Sequence, residues 1–131
     1  MWDPQVVVTG AAQTPFNRRK DGTGPRDWAL DAFESALEMS GLEPAQIEAL
    51  YLSSESDFFA LQLNPASVIA TELGLVGAAA MRCESGGASG QAGVQAAVMA
   101  IQSGLIKHAL VLGLDASASG LPADEIRTLY G

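Results

Sequence analysis

The sequence is poor in cysteine, in basic residues and in aromatics. One cysteine, Cys83, among 131 residues excludes an internal disulfide and a cysteine-rich metal site, and it fits a reducing compartment. Seven Lys and Arg stand against 15 Asp and Glu, giving a net charge of -8. Nucleic-acid binders concentrate positive charge, so that class is disfavoured. The basic cluster Arg18-Arg19-Lys20 reads as a solvated loop. The one histidine, His108, precedes an apolar run and reads as a solvent-facing loop residue. No metal site is expected. Apolar runs such as Leu73 to Met81 are too short to span a bilayer, so no membrane partner is expected. Met1-Trp2-Asp3-Pro4 lacks the basic and apolar regions of a signal peptide, and a cytoplasmic location is expected.

What is present is apolar residues at 48%, enough to bury a core at this length. Val6-Val7-Val8-Thr9-Gly10 is β-branched and ends in glycine, which predicts a buried first strand. Residues 11–26 read as a loop. Trp28, Leu30, Phe33, Ala36 and Leu37 recur at helical spacing and predict a helix from Asp27 to Ser40, stopped by Gly41. Ala49 to Leu52 reads as a second strand. Asn64-Pro65 opens a second helix that Gly74 ends. Ala79 to Glu84 is a third strand, Ala88 to Ser103 a third helix, and Ala109 to Gly113 a fourth strand. Pro122 to Leu129 reads as a last short helix. This β-α-β-α-β-α-β order predicts a mostly parallel α/β sheet with helices on both faces.

The third helix is apolar around most of its circumference. Gln91, Gln95 and Gln102 fall within about 40° of one another at helical spacing. A helix with so narrow a polar stripe is expected to be covered by another layer, from another chain or domain. An Ala-rich surface helix is the plainer alternative.

Two motifs weaken on inspection. Val8-Thr9-Gly10-Ala11-Ala12 looks like a dinucleotide turn, but Thr14-Pro15-Phe16 follows where further glycines are needed. Gly86-Gly87-Ala88-Ser89-Gly90 lacks the Gly-Lys-Ser/Thr ending of a phosphate loop. Its amides still sit at a helix start, where they make an electropositive pocket suited to a thiolate or an oxyanion.

Ordered pieces of the chain resemble the N-terminal half-domain of the thiolase superfamily, most nearly its lipid-transfer or sterol-carrier type. They are Gln13-Thr14-Pro15-Phe16, Ser35-Ala36-Leu37, Leu73-Gly74-Leu75, Arg82-Cys83-Glu84, Ala88-Ser89-Gly90, Ile101-Gln102-Ser103-Gly104 and Ala109 to Gly113. The resemblance covers residues 6–118. It implies a half-domain over 1–118, with 119–131 as an extension or a connection to a second half.

Register places the family's nucleophilic cysteine at Gly87. The family cysteine stands 17 residues before the glycine that ends its helix and 13 after its Leu-Gly-Leu glycine, and Gly87 keeps both spacings to Gly104 and Gly74. Cys83 stands 21 residues before Gly104, a whole helical turn too far. Cys83 therefore reads as a small buried hydrophobe, with a displaced nucleophile as the alternative. Arg82 and Glu84 share the opposite strand face and read as an ion pair.

Glycine cannot form an acyl-enzyme. The resemblance then implies aldolase-like carbon–carbon bond chemistry on an acyl-CoA thioester, with no cofactor beyond the CoA of the substrate. Gly87, Ala88 and Ser89 are the expected substrate-binding positions, and no catalytic side chain is assigned. Implied partners are a second thiolase-like half or another copy, and a subunit with an OB-like fold. A non-catalytic binding or scaffolding subunit is the alternative.

Overall fold

The computed structural model describes residues 5–15, 22–55, 64–116, 122 and 124. Of the helix expected over Pro122 to Leu129, all but residues 122 and 124 lie outside them.

Gly24 opens the first helix, α1 (Pro25–Ser40). The Asp27 carboxylate accepts from the Gly24 N–H at 2.8 Å, and the Trp28 indole N–H donates to Thr23 Oγ1 at 2.7 Å. Proline in the first turn suits a helix start, where its missing N–H has no partner to lose. Gly41, at φ 69°, takes the left-handed conformation that ends the helix. A short 3-10 turn (Pro44–Gln46) leads into β1 (Ala49–Ser53). Helix α2 (Pro65–Glu72), strand β2 (Ala79–Cys83), helix α3 (Ser89–Gln102) and strand β3 (Ala109–Gly113) follow. Asn64 stands at the N-cap of α2, but its side chain makes no capping bond.

Among the described residues the sheet has three strands, all parallel, in the order β2-β1-β3. Ala49 pairs with Ala79 on one side and Ala109 on the other, and Ser53 with Cys83 and Gly113. Alternation sends Leu50, Leu52, Leu110 and Leu112 to one face, where Trp28, Phe33 and Ile69 complete the core. Each large apolar side chain fully buried there contributes about 1.5–3 kcal/mol. Tyr51, Ser53 and Val111 take the opposite face, against α3. Helices thus cover both faces, as the element order predicts.

The contact under α3 is close because Gly93 lacks a side chain. A Cβ at Gly93 would collide with Ser53 Oγ and come within 3.1 Å of Val111 Cγ1.

The first strand differs from expectation. Residues 6–10 belong to no sheet strand, and Val7 and Val8 are 69% and 80% exposed. The segment instead leans on α1, where Gly10 lies against the Ala36 carbonyl. The β-branched run carries strand propensity, but propensity yields a strand only where a neighbour supplies hydrogen bonds.

Candidate functional site

The carboxyl ends of parallel strands are where open α/β sheets place their ligands. Here that edge gathers Ser53 and Ser54 at the end of β1, Cys83 and Glu84 at the end of β2, and Leu114 and Asp115 just after β3. Helix α3 starts from the same edge, through the turn Glu84 to Ala88.

That turn is built by its own polar groups. Ser89 Oγ accepts from the Ser85 N–H at 2.9 Å and donates to the Gly86 carbonyl at 2.6 Å. The Ala88 and Ser89 N–H groups donate to the carbonyls of Ser85 and Gly86 at 3.0 and 3.1 Å. Gly86 takes φ 52°, a left-handed conformation that glycine tolerates.

The three expected binding positions therefore divide. Gly87 and Ala88 lie exposed at the tip, while Ser89 is buried and holds the turn together. A Cβ built on Gly87 meets nothing within 4 Å. The position has room for a side chain and carries none.

Cys83 ends β2 and is buried. Burial pushes its thiol above the ordinary range, which suppresses the thiolate a nucleophile needs. This agrees with the reading of Cys83 as a buried hydrophobe. Arg82 and Glu84 form the expected ion pair at 3.3 Å. His108 is a half-buried loop residue just before β3, whose backbone N–H donates to Glu48 Oε2 at 3.1 Å and whose carbonyl accepts from the Glu48 N–H at 3.0 Å. It lies at the amino end of β3, the opposite end of the sheet from the start of α3. The Lys107 and His108 N–H groups hold the Glu48 carboxyl below its usual range.

Sequence reasoning missed Ser54 and Asp115. Ser54 Oγ donates to Asp115 Oδ1 at 2.9 Å, and the Glu55 N–H donates to Asp115 Oδ2 at 3.2 Å. Desolvation pushes the Asp115 carboxyl above its ordinary range, against the pull of these hydrogen bonds and of the Arg82 charge. The available signal was position: both residues stand just past the ends of adjacent parallel strands.

The outer side of α3 is uncovered. Gly93 and Ala97 are buried on the sheet, while Val94 and Met99 are 45% and 57% exposed. Met81, on the same face of the sheet by alternation, is 50% exposed. Among the described residues no helix is long and apolar enough to cross a membrane.

Layers of helix, parallel sheet and helix, with a glycine-rich helix start at the strand ends, define a class of α/β half-domain. The chain belongs to the thiolase family: the model of its N-terminal domain matches residues 6–122. A hydroxymethylglutaryl-CoA synthase of Methanothermobacter thermautotrophicus is 30% identical over 95% of this chain and 36% of its own length. An acetyl-CoA acetyltransferase of the same organism is 32% identical over 84% of this chain and 29% of its own. The solved structure of an acetyl-CoA acetyltransferase from Syntrophomonas wolfei superposes with a TM-score of 0.71 at 26% identity, covering 80% of this chain and 27% of that one. The chain thus spans about a third of the length of these relatives.

Proposed function

We propose that the chain is one component of a cytoplasmic thiolase-fold assembly that acts on acyl-CoA thioesters, by aldolase-like cleavage or formation of a carbon–carbon bond. The observation that carries this reading is Gly87. It stands at the exposed start of α3 with open space above it and no nucleophilic atom. Acyl transfer through a cysteine at this position has no sulfur to use. The one thiol of the chain, Cys83, is buried in β2 with its ionisation suppressed.

An aldol-type reaction needs no acyl-enzyme. It needs a thioester held near donors that stabilise an enolate, and a group that moves the proton of the β-hydroxyl. In this reading Gly87 and Ala88 give the thioester room to approach the positive end of α3. The proton-transfer group comes from a partner, either a second thiolase-like half or another copy, with an OB-fold subunit as a further candidate. CoA enters as part of the substrate and no separate cofactor is invoked.

The partner reading is supported by exposed apolar side chains, Val94 and Met99 on α3 and Met81 on β2. Exposed apolar side chains of this kind suit contact with a partner. They also suit a scaffolding subunit that performs no chemistry. The experiment that separates the two is turnover of a β-hydroxyacyl-CoA by the native assembly purified from its source cells. Release of an aldehyde or ketone with a shortened acyl-CoA supports the enzyme. A stable assembly that binds no acyl-CoA refutes it and leaves the scaffold.

A further inference from the structure

The turn that begins α3 is a unit closed on itself. Its hydrogen bonds run among Ser85, Gly86, Ala88 and Ser89. Where that unit stands depends on what holds the two residues before it, Cys83 and Glu84. The Ser54 N–H donates to the Cys83 carbonyl at 3.3 Å. The Arg82 guanidinium holds the Glu84 carboxylate, also at 3.3 Å.

Both holders are tied to Asp115. Its Oδ1 accepts from the Ser54 hydroxyl at 2.9 Å, and its Oδ2 accepts from the Glu55 N–H at 3.2 Å. Ser54 is fully buried and links two neighbours, its hydroxyl bonded to the residue after β3 and its amide to the end of β2. The positive charge of Arg82 favours the ionised form of Asp115, while the charge of Glu55 opposes it. These contacts lie just past the last paired residues of the sheet, where Ser53 stands between Cys83 and Gly113. Hydrogen bonds to an ionised carboxylate are roughly twice as strong as those between neutral groups.

We propose that Asp115 is a positioning residue of the site: its carboxylate, acting through Ser54 and Arg82, fixes the turn that begins α3 against the ends of β1 and β2. The inference rests on the proposed function in taking that turn as the place where the thioester binds. Asp115 moves no proton here, and proton transfer stays with the partner. A carboxylate suits the task because its two oxygens accept from consecutive residues, 54 and 55, and so hold that segment at two points. A carboxamide of the same shape offers one acceptor oxygen and no charge, so it keeps one bond and loses the other. A displacement of about 1 Å in a group that orients reacting atoms costs up to about a hundredfold in rate.

The test compares the ¹⁵N-labelled chain with Asp115→Asn. Hydrogen exchange of the Ser54 amide is expected to speed up by about tenfold, while the Lys107 and His108 amides, bonded to Glu48 at the other end of the sheet, change by less than about twofold. The Gly87 and Ala88 amide shifts are expected to follow the ionisation of Asp115 in the wild type and to lose that inflection in Asp115→Asn. Any inflection from Glu84, next to the turn, remains in both. If Asp115→Asn unfolds, Ser54→Ala cuts the same link from the other side and is expected to weaken the same inflection. In the native assembly Asp115→Asn is expected to lower kcat by about tenfold with KM changed less than about threefold, and Asp115→Glu, which keeps the carboxylate, to recover most of the loss. Unmoved Gly87 and Ala88 shifts, equal acceleration of exchange at both ends of the sheet, or a raised KM with kcat intact overturns the proposal. The spectroscopic arms need no turnover. An assembly that cleaves no β-hydroxyacyl-CoA refutes the proposed chemistry, and those arms still decide whether Asp115 positions the turn.

Discussion

Gly93→Ala tests how α3 is held against the sheet. The added methyl would collide with Ser53 Oγ and press on Val111 Cγ1 at 3.1 Å. Ser53 is buried and its hydroxyl has no hydrogen-bond partner, so an added methyl breaks no hydrogen bond and acts by packing alone. Overpacking of this kind costs about 1–3 kcal/mol. Replacing glycine by alanine inside a helix returns about 1 kcal/mol. The outright collision with Ser53 Oγ puts the overpacking cost in the upper part of its range, about 2–3 kcal/mol, so the net expectation is a destabilisation of about 1–2 kcal/mol, read from urea unfolding followed by tryptophan fluorescence and far-UV circular dichroism. Two companions make the test specific. Gly90→Ala, where an added methyl meets nothing within 4 Å, is expected to be neutral or stabilising by up to about 1 kcal/mol. Ser53→Ala removes the oxygen in the way, so the double variant is expected to recover most of the loss, with a coupling energy of about 1 kcal/mol. Wild-type stability for Gly93→Ala, or purely additive behaviour of the pair, would refute the close approach of α3 to β1.

Other outcomes follow from the same geometry. Gly87→Cys is expected to fold normally and to add a thiol that reacts with a disulfide reagent at neutral pH about tenfold faster than Cys83, because a helix start favours the thiolate; equal rates would place the new thiol elsewhere. Cys83→Ala is expected to leave any turnover by the native assembly unchanged, and its loss would restore Cys83 as a displaced nucleophile. Met99→Lys is expected to abolish co-purification of the partner while leaving the fold of the chain intact by circular dichroism. The pH dependence has two opposed parts. Glu48 is held below its usual 4.5, so its contribution is present above that pH and is lost as the pH falls through the lower folded value. Asp115 is pushed above its usual 3.8, so its contribution is full below that pH and is lost as the pH rises through the higher folded value. Urea midpoints measured across this range are expected to show Glu48→Gln flattening the loss of stability on the acid side and Asp115→Asn flattening the loss of stability as the pH rises above 3.8. A profile unaffected by either change would contradict both assignments.

Much of the fold was legible because local signals agreed. The helical spacing of Trp28 and Phe33 with Gly41 behind them, Pro65 with Gly74, and the apolar run of Ala109 to Gly113 each named an element within two residues of its observed bounds. The spacing of Gly87 between Gly74 and Gly104 located the helix start and placed Cys83 inside β2. What failed was what depends on neighbours. Val6 to Gly10 has the composition of a buried strand, but a strand needs a neighbour to bond with, and among the described residues none pairs with it. The bonds of the Glu48 carboxylate to the Lys107 and His108 backbone N–H groups, 59 and 60 positions away, are invisible in either segment alone. Ser54 and Asp115 carry no motif. Their meeting is a product of the parallel register of β1 and β3, which no local window contains.

Helix α3 opens at a position without a nucleophile and carries exposed Val94 and Met99, and the proposed function has a partner polypeptide cover it. Native mass spectrometry of the chain, recovered from its source cells at natural abundance, tests it most directly. A mass equal to this chain plus further polypeptide of thiolase type is predicted. A lone monomer, with Val94 and Met99 fully open to solvent labelling, would contradict the account.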